Sequence, residues 1–332
     1  MTSRGVPHAG PPDPPQGRSG GEGGRGTTRR WIGPACAVLG VLGFSVKAIL
    51  IKLAYAWHPI DALTLLALRM IFSAPFFAAL AWWATRQAPG PRLRAEDWRS
   101  VLWLGFIGYY LASLLDFLGL MYISAALERL VLFLYPTMVV LLSALLLGKP
   151  VARRSVVALA LSYAGILLVF AHDLAVTGAA TALWTGSALV FGSALFYSLY
   201  LVRSGSVIER LGPLRFVSFG MLASTGFVLA QFFLTRDAAL LVVPPSVYAL
   251  SLAMAVFSTV LPTLLVAEAI RRIGASASSL IGSLGPVFTI GLGAVVLDEP
   301  LHVVQLAGAA LVLVGVTLVT RAPAARRAVA AG

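Results

Sequence analysis

The sequence predicts an all-α polytopic membrane protein of ten transmembrane helices, arranged as two inverted five-helix repeats. Hydrophobic residues make up 59% of the 332 residues and charged residues only 11%, whereas a soluble domain carries about a quarter charged residues. The apolar runs last about twenty residues, the length of a helix that crosses a bilayer, and not the roughly ten alternating residues of a membrane β-strand. Because basic residues concentrate between these runs, the net charge of +12 indicates membrane orientation and not nucleic-acid binding.

The elements follow one another closely along the chain. Residues 1–30 are rich in Gly, Pro and Arg and contain no apolar run, so we expect a disordered cytoplasmic tail. Residues 322–332 form a second short cytoplasmic tail. Between them we predict helices at residues 31–56, 60–84, 98–122, 124–147, 152–171, 180–203, 213–235, 246–270, 274–297 and 301–320.

The distribution of basic residues predicts the orientation of these helices. If the amino terminus is cytoplasmic, the inner segments hold all Lys and Arg residues except Lys47, Lys52, Arg69, Arg129 and Arg236. The outer loops then contain Arg236 as their basic residue, together with several acidic residues. Such an excess of inner basic residues is typical of cytoplasmic loops. We therefore predict that both termini are cytoplasmic.

A shift of 150 residues aligns the two halves of the chain. YPTMVVLLSALLLGKP (135–150) then matches GPVFTIGLGAVVLDEP (285–300), which places Pro136 on Pro286 and, further along, Gly165 on Gly315. A unit of five helices ends on the opposite side of the membrane from its start, so two such units in sequence are inverted. Inverted repeats are common in secondary transporters, which bind substrate near the midplane between the halves.

Two five-helix units, each with a GKP or DEP turn before a glycine-containing last helix, resemble the EamA-type family of the drug/metabolite transporter superfamily. The segment FSVKAILIKLAYAWHPIDALTLLALRMIFSAPF also resembles the family's first two helices. The resemblance divides the chain into repeats at 31–171 and 180–321. It implies a carrier in a bacterial-type inner membrane that moves small metabolites, often outward. Lys149 departs from the glutamate that the family often has, whereas Glu299 retains it.

Ionisable residues inside a bilayer cost at least about 2.5–3.5 kcal/mol each, so each needs a physical reason. Lys47 lies about ten residues, or roughly 15 Å, from the outer end of its helix, too deep to reach the surface easily. Lys52 is closer to that end, and we expect its ammonium to snorkel. Arg69 is also deep, and either a salt bridge to a carboxylate or a contact with an anionic substrate group explains it.

Asp116 continues a polar stripe on the third helix. Tyr109, Ser113 and Asp116 follow one another at spacings of four and three residues, which places them on one helix face. Two roles fit Asp116: titration that couples transport to protons, or permanent neutralisation of Lys47 or Arg69. We favour neutralisation slightly and take all three stripe residues as candidates for the transport cavity.

Three further candidates are weaker. Glu128 and Arg129 begin the fourth helix, where we favour a water-touching interfacial position over a binding site, and Glu128 shares a helix face with Tyr135. Tyr197 belongs to a stripe of Ser and Tyr on the sixth helix, a pattern that also suits helix packing. Glu268 lies one turn from Arg271 and Arg272, so we expect an ion pair without a role in transport.

Prolines interrupt three of the predicted helices well inside the membrane. A proline removes a backbone hydrogen bond and bends a helix, so we take Pro136, Pro262 and Pro286 as hinge candidates; static bends are the alternative. The sequence contains no HExxH, GxSxG or Walker A motif and no Cys/His cluster. We therefore expect no enzyme activity, no cofactor and no metal.

The sequence thus favours a secondary transporter of small metabolites. Alternating access between the two halves would export a substrate that is amino-acid-like or carries an anionic group. A membrane-embedded lipid-handling protein and a non-transporting membrane sensor are the alternatives. The partners we expect are the substrate and the lipid bilayer, and the sequence does not indicate the oligomeric state.

Overall fold

The computed structural model describes residues 23–87, 93–148 and 150–320, and these residues are helical throughout apart from turns and short connections. From Gly33 onward they belong to one compact unit. The helices are α1 Gly23–Trp57, α2 Ala62–Gln87, α3 Ala95–Gly105, α4 Ala112–Gly119, α5 Ala125–Leu132, α6 Tyr135–Leu147, α7 Arg153–Thr177, α8 Ala180–Leu211, α9 Pro213–Thr235, α10 Pro245–Ala255, α11 Leu261–Gly282, α12 Gly285–Val296 and α13 Val303–Thr320.

The all-helical polytopic class is confirmed. Within the described residues, nine helical spans are long and apolar enough to cross a bilayer, and the apolar helix Val303–Leu318 is shorter. α1 begins at Gly23, within the segment that the sequence predicts to be a disordered tail. Residues 1–22, Lys149 and the tail at 322–332 lie outside the description.

Two predicted transmembrane helices are broken in the middle. The fourth consists of α5 and α6, and the ninth consists of the end of α11 followed by α12. Pro136 and Pro286 lie in the first turns of α6 and α12, where the missing N–H of proline costs no intrahelical hydrogen bond. The prolines therefore begin new helical segments, and whether these breaks move during transport stays a prediction.

Two other predicted helices contain a π-helical turn. Phe106–Leu111 joins α3 to α4, and Val256–Val260 joins α10 to α11, with Pro262 as the second residue after the second turn. A π-turn inserts one extra residue into the helical repeat. The regular spacing that we assumed for Tyr109, Ser113 and Asp116 therefore fails at Tyr109, which lies within the first π-turn.

The helices α7 and α13, which end the two predicted five-helix units, pack closely because glycines lie at their contact. A Cβ atom at Gly165 would fall 2.6 Å from the carbonyl oxygen of Gly308, and a Cβ at Gly315 would fall 2.6 Å from that of Ala158. Small residues at such positions let two membrane helices approach and gain van der Waals contact. Gly165 and Gly315, which the shift of 150 residues aligns, thus lie at one interface.

We predict that Gly165→Ala lowers stability by about 1–3 kcal/mol, because the new methyl group must push α7 and α13 apart. The midpoint of heat denaturation in detergent measures this effect. Gly291→Ala is the matched control, since a Cβ at Gly291 would meet open space. Equal midpoints for the two variants would contradict the close packing.

Candidate functional site

A buried ion pair joins the first and third transmembrane helices. Nζ of Lys47 in α1 lies 2.6 Å from Oδ2 of Asp116 in α4. The Asp116 side chain is only 2% exposed and that of Lys47 is 18% exposed. The second carboxylate oxygen of Asp116 is buried without a hydrogen-bond donor. The expected neutralisation of Lys47 by Asp116 is therefore present as a contact.

Glu128 is the second carboxylate at this ammonium. Its Oε1 lies 3.9 Å from Nζ of Lys47, its side chain is fully buried, and neither of its oxygens has a hydrogen-bond partner. The predicted interfacial, water-touching position of Glu128 is wrong. The start of α5 is enclosed by protein: Ser124 caps it, and Glu299 accepts a hydrogen bond from the N–H of Ala125 at 3.0 Å.

Arg69 contributes a second buried cation. It is 5% exposed, and its guanidinium carbon lies 4.9 Å from the ring centroid of Phe117, the residue after Asp116. Its Nε has no hydrogen-bond acceptor. No carboxylate of the described residues forms a salt bridge with Arg69, so the structural-pair alternative is not observed. We call Lys47, Arg69, Asp116 and Glu128 the buried ion cluster.

Lys52 forms a backbone contact that the sequence did not predict. Its Nζ donates to the carbonyl oxygen of Ile123 at 3.0 Å, in the turn between α4 and α5. The expected snorkelling of Lys52 towards the outer membrane surface stays a prediction. Tyr55, three residues on, donates to the carbonyl oxygen of Phe117 at 2.9 Å. Both bonds fix α1 against α4 beside the cluster.

The break before α12 adjoins the same region. Ser45 in α1 donates to the carbonyl oxygen of Gly285 at 3.1 Å, and a Cβ at Gly285 would fall 2.8 Å from Nη2 of Arg129. Arg129 is half-buried. The broken ninth helix therefore meets α1 and α5 at Gly285, so a residue of the second half approaches the buried ion cluster.

Tyrosines form a connected layer beside these helices. The hydroxyl groups of Tyr109 and Tyr200 lie 2.7 Å apart, the rings of Tyr197 and Tyr200 stack at 5.7 Å, and Tyr135 meets Tyr197 edge-on at 5.4 Å. The candidates Tyr109, Tyr135 and Tyr197 are thus brought together across the π-turn Phe106–Leu111, α6 and α8. Ser113 is half-buried on α4, and the structure gives it no contact that links it to the others.

The burial of two acidic side chains, Glu299 and Asp97, was not predicted from the sequence. Glu299 was taken as a loop residue, yet it reaches α5, and its second oxygen is buried without a donor; its position directly before Pro300 was the available signal. Asp97 is buried and pairs with Arg210, which joins the start of α3 to the end of α8. The predicted ion pairs of Glu268 with Arg271 and Arg272 are confirmed.

Comparison with known proteins agrees with this architecture. The model of the EamA-like transporter family matches residues 31–171 and 184–321. The chain belongs to the EamA-like transporter family. It is a membrane transporter, and its family membership confirms the resemblance seen in the sequence. Within the described residues, no group of three His, Cys, Asp or Glu side chains is placed to hold a metal ion.

Two relatives align with more than half of this chain. The uncharacterized transporter YcbK of Bacillus subtilis is 30% identical over 283 residues, which are 82% of this chain and 87% of YcbK. The uncharacterized transporter YyaM of the same organism is 28% identical over 65% of this chain and 71% of YyaM. A crystal structure with 20% identity superposes with a TM-score of 0.60 over 88% of this chain and 96% of that one, which shows the fold alone.

We predict that Lys47→Met lowers stability by about 3–5 kcal/mol, because it leaves two buried carboxylates without their cation. Adding Asp116→Asn to that variant should restore part of the loss, so the two effects are not additive. Heat denaturation in detergent measures both variants. Arg153→Met, which removes an exposed cation at the start of α7, is the control. A double variant as unstable as the sum of its parts would contradict the pairing.

Proposed function

We propose that the protein is a secondary transporter that moves small metabolites across the cytoplasmic membrane, with the buried ion cluster as its substrate or coupling site. The observation that supports this proposal best is Glu128, a fully buried carboxyl group that lies beside Asp116 and 3.9 Å from Nζ of Lys47. A carboxylate in such surroundings is costly unless a positive charge approaches it. Intramembrane ionisable groups of this kind commonly mark transport pathways.

The cluster carries groups that suit both ends of an amino-acid-like substrate. Glu128 offers a carboxylate whose Oε1 lies 3.9 Å from Nζ of Lys47, and the same ammonium forms the short contact with Asp116. A proton or a cationic group of the substrate would be stabilised there. Arg69 offers a buried guanidinium with a free Nε, which suits a carboxylate or another anionic group. We therefore favour a substrate that carries an anionic group, with an amino acid as the leading example.

Alternating access is the mechanism that we propose for this site. The cluster lies on α1, α2, α4 and α5, while the break before α12 contacts α1 and α5 from the second half. In secondary transporters with inverted repeats, broken helices line the site and one half moves against the other. Export is the direction that we propose, on the basis of the family resemblance. No ATP-binding motif is present in the sequence, so existing gradients would drive the flux.

Flux into proteoliposomes tests the proposal. With a panel of labelled amino acids, organic acids and organic cations, we expect transport of at least one amphoteric or anionic compound. Arg69→Ala and Glu128→Gln should reduce that flux roughly tenfold or more, since each removes a charge-assisted contact of about 1.5–3 kcal/mol.

Glu268→Gln is the control for this experiment, because Glu268 pairs with arginines at an exposed position. Its flux should equal that of the wild type. A substrate range limited to organic cations, with unchanged flux in Arg69→Ala, would overturn the anionic-substrate proposal. Wild-type flux in both cluster variants would overturn the proposed site.

Cytoplasmic termini predict which loops face the cytoplasm. In a Cys36→Ser background, Val242→Cys lies in the exposed connection between α9 and α10, and Val151→Cys lies between α6 and α7. A membrane-impermeant maleimide added to intact cells should label residue 242, and should label residue 151 only after permeabilisation. The reverse pattern would contradict the orientation.

A further inference from the structure

A groove separate from the buried ion cluster lies between α3 and α8. Its volume is about 410 Å³, and its lining includes Ser100 and Trp103 of α3 and Leu199, Arg203 and Ser206 of α8. These two helices belong to the two different family-matched segments. A ligand in this groove would therefore contact both halves of the transporter at once.

The groove has the charge of an anion-binding site. Arg203 is the ionisable residue among those that line it, and it forms no salt bridge with a described residue. By contrast, Arg210, two turns further along α8, pairs with Asp97 of α3. The hydroxyl group of Ser206 adds a hydrogen-bond donor to the same wall, whereas the hydroxyl group of Ser100 already donates to the carbonyl oxygen of Glu96 at 2.8 Å. Guanidinium and hydroxyl groups together suit a phosphate group.

The surroundings of the groove favour a lipid over a soluble anion. Trp103 is 58% exposed and Leu102 43% exposed on the surface of a helix that spans the membrane. α8 has 32 residues, so it is about 48 Å long and exceeds the roughly 30 Å hydrocarbon core. Arg203 lies eight residues before its end, within reach of the headgroup region, while Leu199 lies one turn deeper.

We propose that this groove binds an anionic phospholipid of the surrounding bilayer. Its phosphate group contacts Arg203 and Ser206, and its acyl chains lie along Trp103 and Leu199. Tryptophan at the interface suits this arrangement, because its ring contacts chains and its N–H reaches the polar zone. Basic pockets between transmembrane helices bind acidic headgroups in the same way. The lipid would hold α3 against α8.

Native mass spectrometry of the purified full-length protein tests the proposal. After mixing with micelles that contain equal amounts of phosphatidylglycerol and phosphatidylcholine, the wild type should retain phosphatidylglycerol preferentially. Arg203→Gln should lower that retention roughly tenfold, the effect of losing one charge-assisted hydrogen bond. Arg153→Gln, which removes an exposed arginine outside the groove, should leave it unchanged. Heat denaturation should show that both variants are folded.

Two further arms decide between lipid and soluble anion. Trp103→Ala should weaken retention of phosphatidylglycerol, because it removes contact with the acyl chains. Inorganic phosphate at millimolar concentration should not displace the lipid. Equal retention of both lipids by the wild type, equal loss in Arg203→Gln and Arg153→Gln, or displacement by inorganic phosphate would each overturn the proposal. These results do not depend on transport, so they are independent of the proposed function.

Discussion

The ammonium group of Lys47 lies between two carboxylates in the membrane-spanning part of the chain, where burying a charge costs free energy. Asp116 takes the short contact and Glu128 the longer one, and both acids keep buried oxygens without donors. A cation that leaves such a pair must be replaced by another, because unpaired buried carboxylates destabilise a fold by several kcal/mol. The same constraint that fixes α1 against α4 and α5 therefore makes the position suitable for exchange between Lys47 and a ligand or proton.

The helices around Lys47 are interrupted close to the buried ion cluster. α5 ends after two turns and α6 begins at Tyr135, while the break before α12 brings the backbone of Gly285 against Arg129. Non-helical backbone at membrane depth is tolerated where protein or a cavity surrounds it. Elsewhere the packing is tight, as at Gly165 and Gly315 between α7 and α13. The structure thus combines close packing between α7 and α13 with interrupted helices at the buried ion cluster.

Much of the fold was predictable because long apolar runs and short basic connections determine helix number. The contact of Lys47 with Asp116 was also predictable, since deep charges require partners. Glu128 was not, because its depth was judged on an uninterrupted helix, and the sequence did not show that Ser124 and Glu299 enclose the start of α5. The contact of Lys52 was not predictable for a related reason: its acceptor, the carbonyl of Ile123, is a backbone group that side-chain patterns do not reveal.

The central claim is that transport requires the cation on α1 and the carboxylate on α4, and not only an ion pair between these helices. Exchanging the two charges in Lys47→Asp/Asp116→Lys tests it, with amino-acid flux into proteoliposomes as the measurement and heat denaturation as the check on folding. The account predicts a double variant that is more stable than Lys47→Met yet transports at background level, because the restored pair now presents its charges from the wrong helices. A double variant that transports at the wild-type rate would show that the pair is structural and would contradict the account.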